Sequence, residues 1–402
     1  MKRTWLLGFG FFSISITWAL YNAFVPFFLE NYVQSIALVG FLMTIDNYFA
    51  LFLQPWIGNR SDRTRSRYGR RMPYLLIGMP LAAVLTALIP FHTGLFTLLL
   101  FMILMNLAMS LYRSPTVALM PDITPETGRT KANGIINFMG GVGSIIAFGV
   151  GSMLYDVHKS APFIAAGIVT LICLLVVNRS IKEERDGVNV HTEQSVIAKK
   201  PRISLKKQLD RTTLFLLAAI FFWFVAYQGV ETLFTLYGKN HLGLSENASS
   251  FSLTFFSLAF VLFAIPSGFL GKRFGKKKMI MIGICGLFTV FALVTLVEDL
   301  LMLRLVLLIG GMFWACININ SYPFIISTGK EESIGTRTGL YYLVSSLAAI
   351  TSPPLLGKMI DSFGYSILFY SASVSMLMAL VCMLMVKQDN ESLNVSDNGL
   401  SQ

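Results

Sequence analysis

The sequence predicts an all-α polytopic membrane protein: twelve transmembrane helices in two pseudo-symmetric six-helix bundles. Three observations carry that expectation. Apolar stretches long enough to cross a bilayer, which takes about 20 residues, follow one another through the 402-residue chain. Arginine and lysine cluster in the gaps, most densely at residues 60–71, where six arginines accompany one aspartate, and again in KRFGKKK at 272–278. The punctuation of the first half also returns in the second.

Composition removes other classes. Hydrophobic residues make up 54% and charged residues 13%, against roughly 25% charged in soluble domains. No soluble fold of this length hides that much apolar surface, so the lipid bilayer is the first partner. The net charge of +11 suits nucleic acid in general, but here the basic residues flank apolar spans, as the positive-inside rule requires. Nucleic acid is therefore not an expected partner. Cys173, Cys285, Cys316 and Cys382 lie inside apolar runs without paired or metal-ligand spacing, which reads as small apolar filler and no metal site. A nucleotide loop or a nucleophile arrangement is likewise missing from the loops. The expectation is a protein that is not an enzyme and needs no cofactor.

The spans are expected at 5–29, 36–58, 73–91, 95–120, 132–154 and 161–178, then at 212–237, 250–270, 278–297, 301–327, 335–357 and 364–386. The first begins like a signal peptide, but its apolar run is too long and lacks a small-residue cleavage site, so it reads as a retained span. With twelve spans, the basic loops 59–72 and 271–278 fall on one side, together with the central loop 179–211, which has nine basic and five acidic residues. The poorly charged FHTG at 91–94 falls on the other. This alternation puts both termini in the cytoplasm of a plasma membrane protein. The division is 1–178 as an N-terminal bundle, 179–211 as a linker, 212–386 as a C-terminal bundle and 387–402 as a polar tail. A monomer is expected to suffice for function.

The two halves repeat at corresponding positions. Pro55 and Gly58 precede Gly69-Arg70-Arg71, and Pro266 and Gly268 precede Gly275-Lys276-Lys277. Gly128-Arg129-Thr130 after span four is answered by Gly335-Thr336-Arg337 after span ten. Such repetition is expected of two halves that rock around a central site.

On these residues the chain resembles the major facilitator superfamily. GNRSDRTRSRYGRR at 58–71 looks like its signature after span two. SDRTRSRYGRRMPYLLIG and RSPTVALMPDITPETGRTKANG are similar to its glycoside–pentoside–hexuronide and sucrose-transporter-like branch. The resemblance implies twelve helices and cation-coupled sugar uptake. The melibiose-carrier branch places two aspartates in span two at a Na⁺ site, whereas this chain has only Asp46 there, with Gln54 before Pro55. The chain thus departs from the Na⁺ site, and the resemblance to the sucrose-transporter-like branch implies H⁺ as the coupling ion. The signature carries over to Gly58, Asp62, Arg63, Gly69, Arg70 and Arg71.

Those loop residues also have a mechanical reading. Arginines tied to an acidic side chain and a helix end can latch the bundles on the cytoplasmic side, and Asp122 and Arg129 extend the same network. The alternative is that the arginines only anchor topology beside anionic lipid.

Ionisable residues inside spans mark pathways or partners. Asp46 lies ten residues into span two, about 15 Å deep. Glu231 lies in span seven and Arg113 in span four. A carboxyl group in apolar surroundings holds its proton more firmly, and alternating access then loads and releases it. Asp46 and Glu231 are the two candidates; Asp46 instead forming a fixed ion pair with Arg113 is the alternative. Neutral hydrogen-bonding and aromatic groups complete the expected pathway: Asn22 and Asn47 in the first half, and Trp223, Tyr227, Gln228, Asn318, Asn320 and Tyr341 in the second. Amides pair with adjacent hydroxyls, and aromatic rings offer a flat surface to a pyranose face. Trp223, Tyr227 and Glu231 follow at four-residue spacing and form the best local hint of a sugar pocket; helix packing is the alternative for Trp223. The expected function is proton-coupled uptake of a small sugar or glycoside. Efflux of a metabolite or drug, or a receptor or scaffold without transport, are the rivals.

Overall fold

The computed structural model describes residues 2–124, 129–181, 210–328 and 334–386. Twelve helices are long and apolar enough to cross a membrane. Spans one to six are Arg3–Glu30, Ile36–Arg63, Met72–Phe91, Leu95–Ile123, Lys131–Val157 and Ala161–Ser180. Spans seven to twelve are Arg211–Asn240, Glu246–Phe274, Lys276–Val294, Leu300–Ser327, Gly335–Phe363 and Ile367–Met385. Residues 182–209 of the expected linker, and the expected tail from 387, lie outside the described residues.

Local chemistry starts these helices where side chains can satisfy free backbone N–H groups. Ser35, Asp210, Ser245 and Asp299 accept from the N–H three residues on, opening spans two, seven, eight and ten. Several spans reach 28–30 residues, about 42–45 Å at 1.5 Å per residue. They exceed a hydrocarbon core of about 30 Å, so their ends stand beyond it or the helices tilt.

Span two differs from its expected form. It is broken at Thr44 into Ile36–Met43 and Ile45–Arg63. The Thr44 hydroxyl donates to the Phe41 carbonyl at 2.8 Å, and the turn narrows there, as Thr back-bonding favours. Asp46 consequently sits in the first turn of a half-helix, where the helix dipole favours a negative charge.

The bundles are pseudo-symmetric. Gly69 and Gly275, in the corresponding basic loops, have φ of 97° and 96°, a backbone that only glycine adopts without strain. Between bundles, span one packs on span seven, span two on span eleven and span five on span eight. The span two–eleven seam is very close: a Cβ on Gly40 would lie 2.4 Å from the Pro353 carbonyl oxygen, and one on Gly357 2.5 Å from that of Ile36. Small residues bring membrane helices together in this way.

Candidate functional site

A cavity of about 380 Å³ lies between the bundles. From the first bundle, spans one, four and five line it with Trp18, Asn22, Arg113 and Asn137. From the second, spans seven, eight and ten line it with Tyr227, Glu231, Ser257, Trp314 and Asn318. Phenylalanines fill much of the wall, among them Phe11, Phe148 and Phe260. The cavity therefore combines three amides, an acid and a base with flat aromatic surface.

One wall is built with unusual regularity. The Tyr227 and Trp314 rings stack with centroids 3.9 Å apart and planes 4° apart. Phe224 meets Trp314 edge-on at 5.8 Å. Glu231 follows Tyr227 one turn along the same helix, and both line the cavity. Across the cavity, the Trp18 indole N–H is buried and has no hydrogen-bond partner among the described residues.

Asp46 is half-buried beside this cavity, not among the residues lining it. The Asn47 amide donates to its Oδ1 at 3.1 Å, which places Asn47 as its partner. Its charge acts on both Arg113 and Glu231. Among the described residues no salt bridge within 4 Å joins Asp46 to Arg113, so a direct contact pair is not how the two sit here.

The other expected pathway residues fall outside the lining. Trp223 is fully buried in the second bundle. Each four-residue step overshoots a helical turn by about 40°, so Trp223 stands about 80° round the helix from Glu231 and faces a different neighbour. Asn320 is buried and ties span ten to span eight, donating to Ser267 Oγ at 3.0 Å. Tyr341 is buried with its hydroxyl 3.0 Å from Ser321 Oγ. Gln228 is half-buried away from the cavity.

The basic loop forms a compact cluster. The buried Arg71 contacts Asp62, the Ser61 hydroxyl and, through Nε at 3.1 Å, Asp122. Arg71 also donates to the Gly58 carbonyl at 3.4 Å, and Arg70 meets Asp122 at 2.7 Å. A Cβ on Gly58 would lie 2.9 Å from Ser114 Oγ, so glycine lets spans two and four approach. These described partners all belong to the first bundle. Arg63 is exposed, and the Arg129 side chain lies outside the described residues.

The opposite ends of the spans hold a charged clasp that sequence reasoning missed. Lys239 of span seven reaches Glu30 of span one at 2.9 Å and Glu246 of span eight at 3.2 Å. Glu246 also accepts from the Tyr155 hydroxyl of span five at 2.8 Å and meets Lys159, in the turn after that span, at 3.2 Å. Asn240 bonds Glu30 and, at 2.9 Å, the Tyr365 hydroxyl. Nearby, Asp361 of span eleven accepts from the Ile36 and Ala37 backbone N–H groups at 2.7 and 3.1 Å. The two bundles are thus tied at this face, while the lining residues Phe11 and Asn137 extend the cavity toward the basic face.

Comparison with known proteins agrees with this architecture. The sequence profile of the Major Facilitator Superfamily matches residues 7–255 and again 239–401. The chain is 26% identical over 272 residues to a class H tetracycline resistance protein of Pasteurella multocida, a match that spans 64% of each chain. It is 25% identical over 162 residues to the sucrose transport protein SUC3 of Arabidopsis thaliana, covering 35% of this chain and 27% of that one. The crystal structure of the nucleoside transporter NupG superposes with a TM-score of 0.72 at 16% identity, covering 97% of this chain and all of the other; at that identity the likeness is one of fold.

Proposed function

The chain belongs to the Major Facilitator Superfamily of secondary transporters, and from that premise we propose that it takes up a small sugar or glycoside together with protons. The observation that carries the substrate class is the Tyr227–Trp314 stack standing beside the Glu231 carboxylate. A pyranose presents C–H groups on its faces and hydroxyls round its edge. The Tyr227 ring, backed by the buried Trp314, offers a flat apolar surface to a face. Asn22, Asn137 and Asn318, drawn from both bundles, offer paired donors and acceptors to the edge.

In this reading Glu231 carries the coupled proton or grips a sugar hydroxyl, and in the second case Asp46, beside the lining, carries the proton. Arg113, in the cavity wall, faces the charge of Asp46. The protein works as a monomer in the plasma membrane, with both termini in the cytoplasm. The clasp around Lys239 closes the outer face. The cluster around Arg71 governs movement at the inner face.

A second reading is extrusion of an aromatic amphiphile. The phenylalanine-rich wall favours it, as does the match to a tetracycline resistance protein over more of the chain than the match to a sucrose transport protein. Proteoliposomes separate the two. Labelled α-glucosides should accumulate when an inward proton gradient is imposed and only equilibrate without one. Accumulation of tetracycline, with none of any glucoside, would establish the second reading.

A further inference from the structure

A smaller cavity opens off the central one behind Glu231. It holds about 50 Å³. Phe148, Tyr227, Glu231, Phe256 and Ser257 belong to both cavities, so the two meet at these residues. Beyond that mouth the annex is closed by span nine through Val290, Phe291 and Val294, by Leu307 of span ten and by Phe369 of span twelve. Its polar side chains, Glu231, Tyr227 and Ser257, all stand at the mouth, and its floor is wholly apolar.

The floor is braced. Phe369 meets Phe291 at 5.8 Å and Phe234 and Tyr237 edge-on at 6.4 and 4.8 Å. Phe234, Val294 and Phe369 are fully buried. Rings fixed in this way do not collapse onto the void, because close-packed interiors relax only partly. A water needs about 10–15 Å³ and two to four polar partners. The annex has the volume for about three to five waters, but its floor has no partner for them. Space of that kind suits an apolar group, which regains the dispersion contacts that an empty void forfeits.

The geometry points to a subsite for an apolar substituent: the transported glycoside carries a small branched alkyl aglycone, which sits in the annex while its sugar lies on the Tyr227 ring backed by Trp314; a benzene ring needs a cavity about three times as large. The inference rests on the glycoside reading and narrows it. A free hexose leaves the annex empty. A disaccharide directed the same way presses hydroxyls against a floor without hydrogen-bond partners, an arrangement that binding sites reject strongly. The polar mouth fits the glycosidic oxygen, with Ser257 and Glu231 on either side of the passage.

The test measures binding to the full-length purified protein of methyl α-glucoside, isopropyl α-glucoside and 2-propanol. Isopropyl α-glucoside should bind about tenfold more tightly than the methyl compound, as two further buried carbons at about 0.8 kcal/mol each imply. Val294→Phe and Leu307→Phe, which fill the annex from two different helices, should each abolish that gain while leaving methyl α-glucoside binding within about twofold. Retained methyl α-glucoside binding also shows that a variant is folded. Equal affinities in the wild type, or a gain that survives both filled variants, overturns the annex and leaves the glycoside reading intact. Stabilisation by 2-propanol alone, lost in both filled variants, removes the glycoside reading and keeps the annex. If none of the three compounds binds, both fall.

Discussion

Tyr227 and Trp314, from spans seven and ten, lie ring on ring with centroids 3.9 Å apart and planes within 4°. The stack fixes the Tyr227 ring, and Glu231 stands one turn further along the same helix in the same cavity wall. Trp314→Ala removes the ring that backs Tyr227 and should weaken substrate binding about tenfold, or about 1.4 kcal/mol. Trp314→Phe should recover part of the loss. Tyr227→Phe keeps the ring and removes a hydroxyl one turn from the carboxylate, so it should alter coupling more than affinity. Binding and gradient-driven transport, measured side by side, check all three; unchanged binding in Trp314→Ala contradicts the platform.

The clasp gives a second prediction. Lys239 sits between two carboxylates, Glu30 and Glu246, with about a third of its side chain exposed. Lys239→Met removes the cation that joins those carboxylates and leaves Glu246 with the Lys159 cation alone. Hydrogen bonds to charged groups contribute about 1.5–3 kcal/mol, less where solvent screens them, so the closed arrangement of this face should weaken by about 1–2 kcal/mol. Cysteines at positions 33 and 242 of this variant should label from outside several-fold faster than in the parent. Labelling rates that do not change would show that the clasp does not hold the face shut.

Asp62→Asn should slow cycling more than it weakens binding. Asp62 lies at the basic face and pairs with Arg71, which also holds Asp122, and neither residue lines the cavity. Arg71→Lys keeps the charge but loses the planar fork that reaches several partners at once, and it should show the same pattern more strongly. Loss of binding with normal turnover in either variant would place these residues in the substrate path.

The orientation is tested by single cysteines. Positions 65 and 200 should react only from the cytoplasmic side and position 93 only from outside. Reaction of 65 and 93 from one face contradicts twelve spans with both termini inside.

What the sequence made legible was what depends on local pattern. Apolar runs and basic gaps mark the spans because bilayer thickness sets their length, and glycines mark the paired basic loops because a positive φ requires them. The Thr44 break was not legible, since one threonine in an apolar run has no distinctive spacing. Glu30, Lys239 and Glu246 looked like ordinary charges at span ends; only the docking of two bundles brings them together. Asn318 and Asn320 were indistinguishable in the sequence. They stand about 200° apart round one helix, so the first meets the cavity and the second the Ser267 contact. Which helix face turns toward the cavity is decided by tertiary packing.

The central claim is that Glu231, in the cavity wall, and Asp46, beside it, divide proton coupling and substrate binding. The most direct test is to measure substrate exchange and uphill accumulation for Glu231→Gln in proteoliposomes, with Asp46→Asn in parallel. Glutamine keeps the size and hydrogen-bonding capacity but does not titrate. If Glu231 carries the proton, its variant should exchange substrate across the membrane at a normal rate and fail to accumulate it against a gradient. If Glu231 grips the sugar, affinity should fall with coupling intact, and Asp46→Asn should be the uncoupled variant. Accumulation at the wild-type level by both variants would contradict the account.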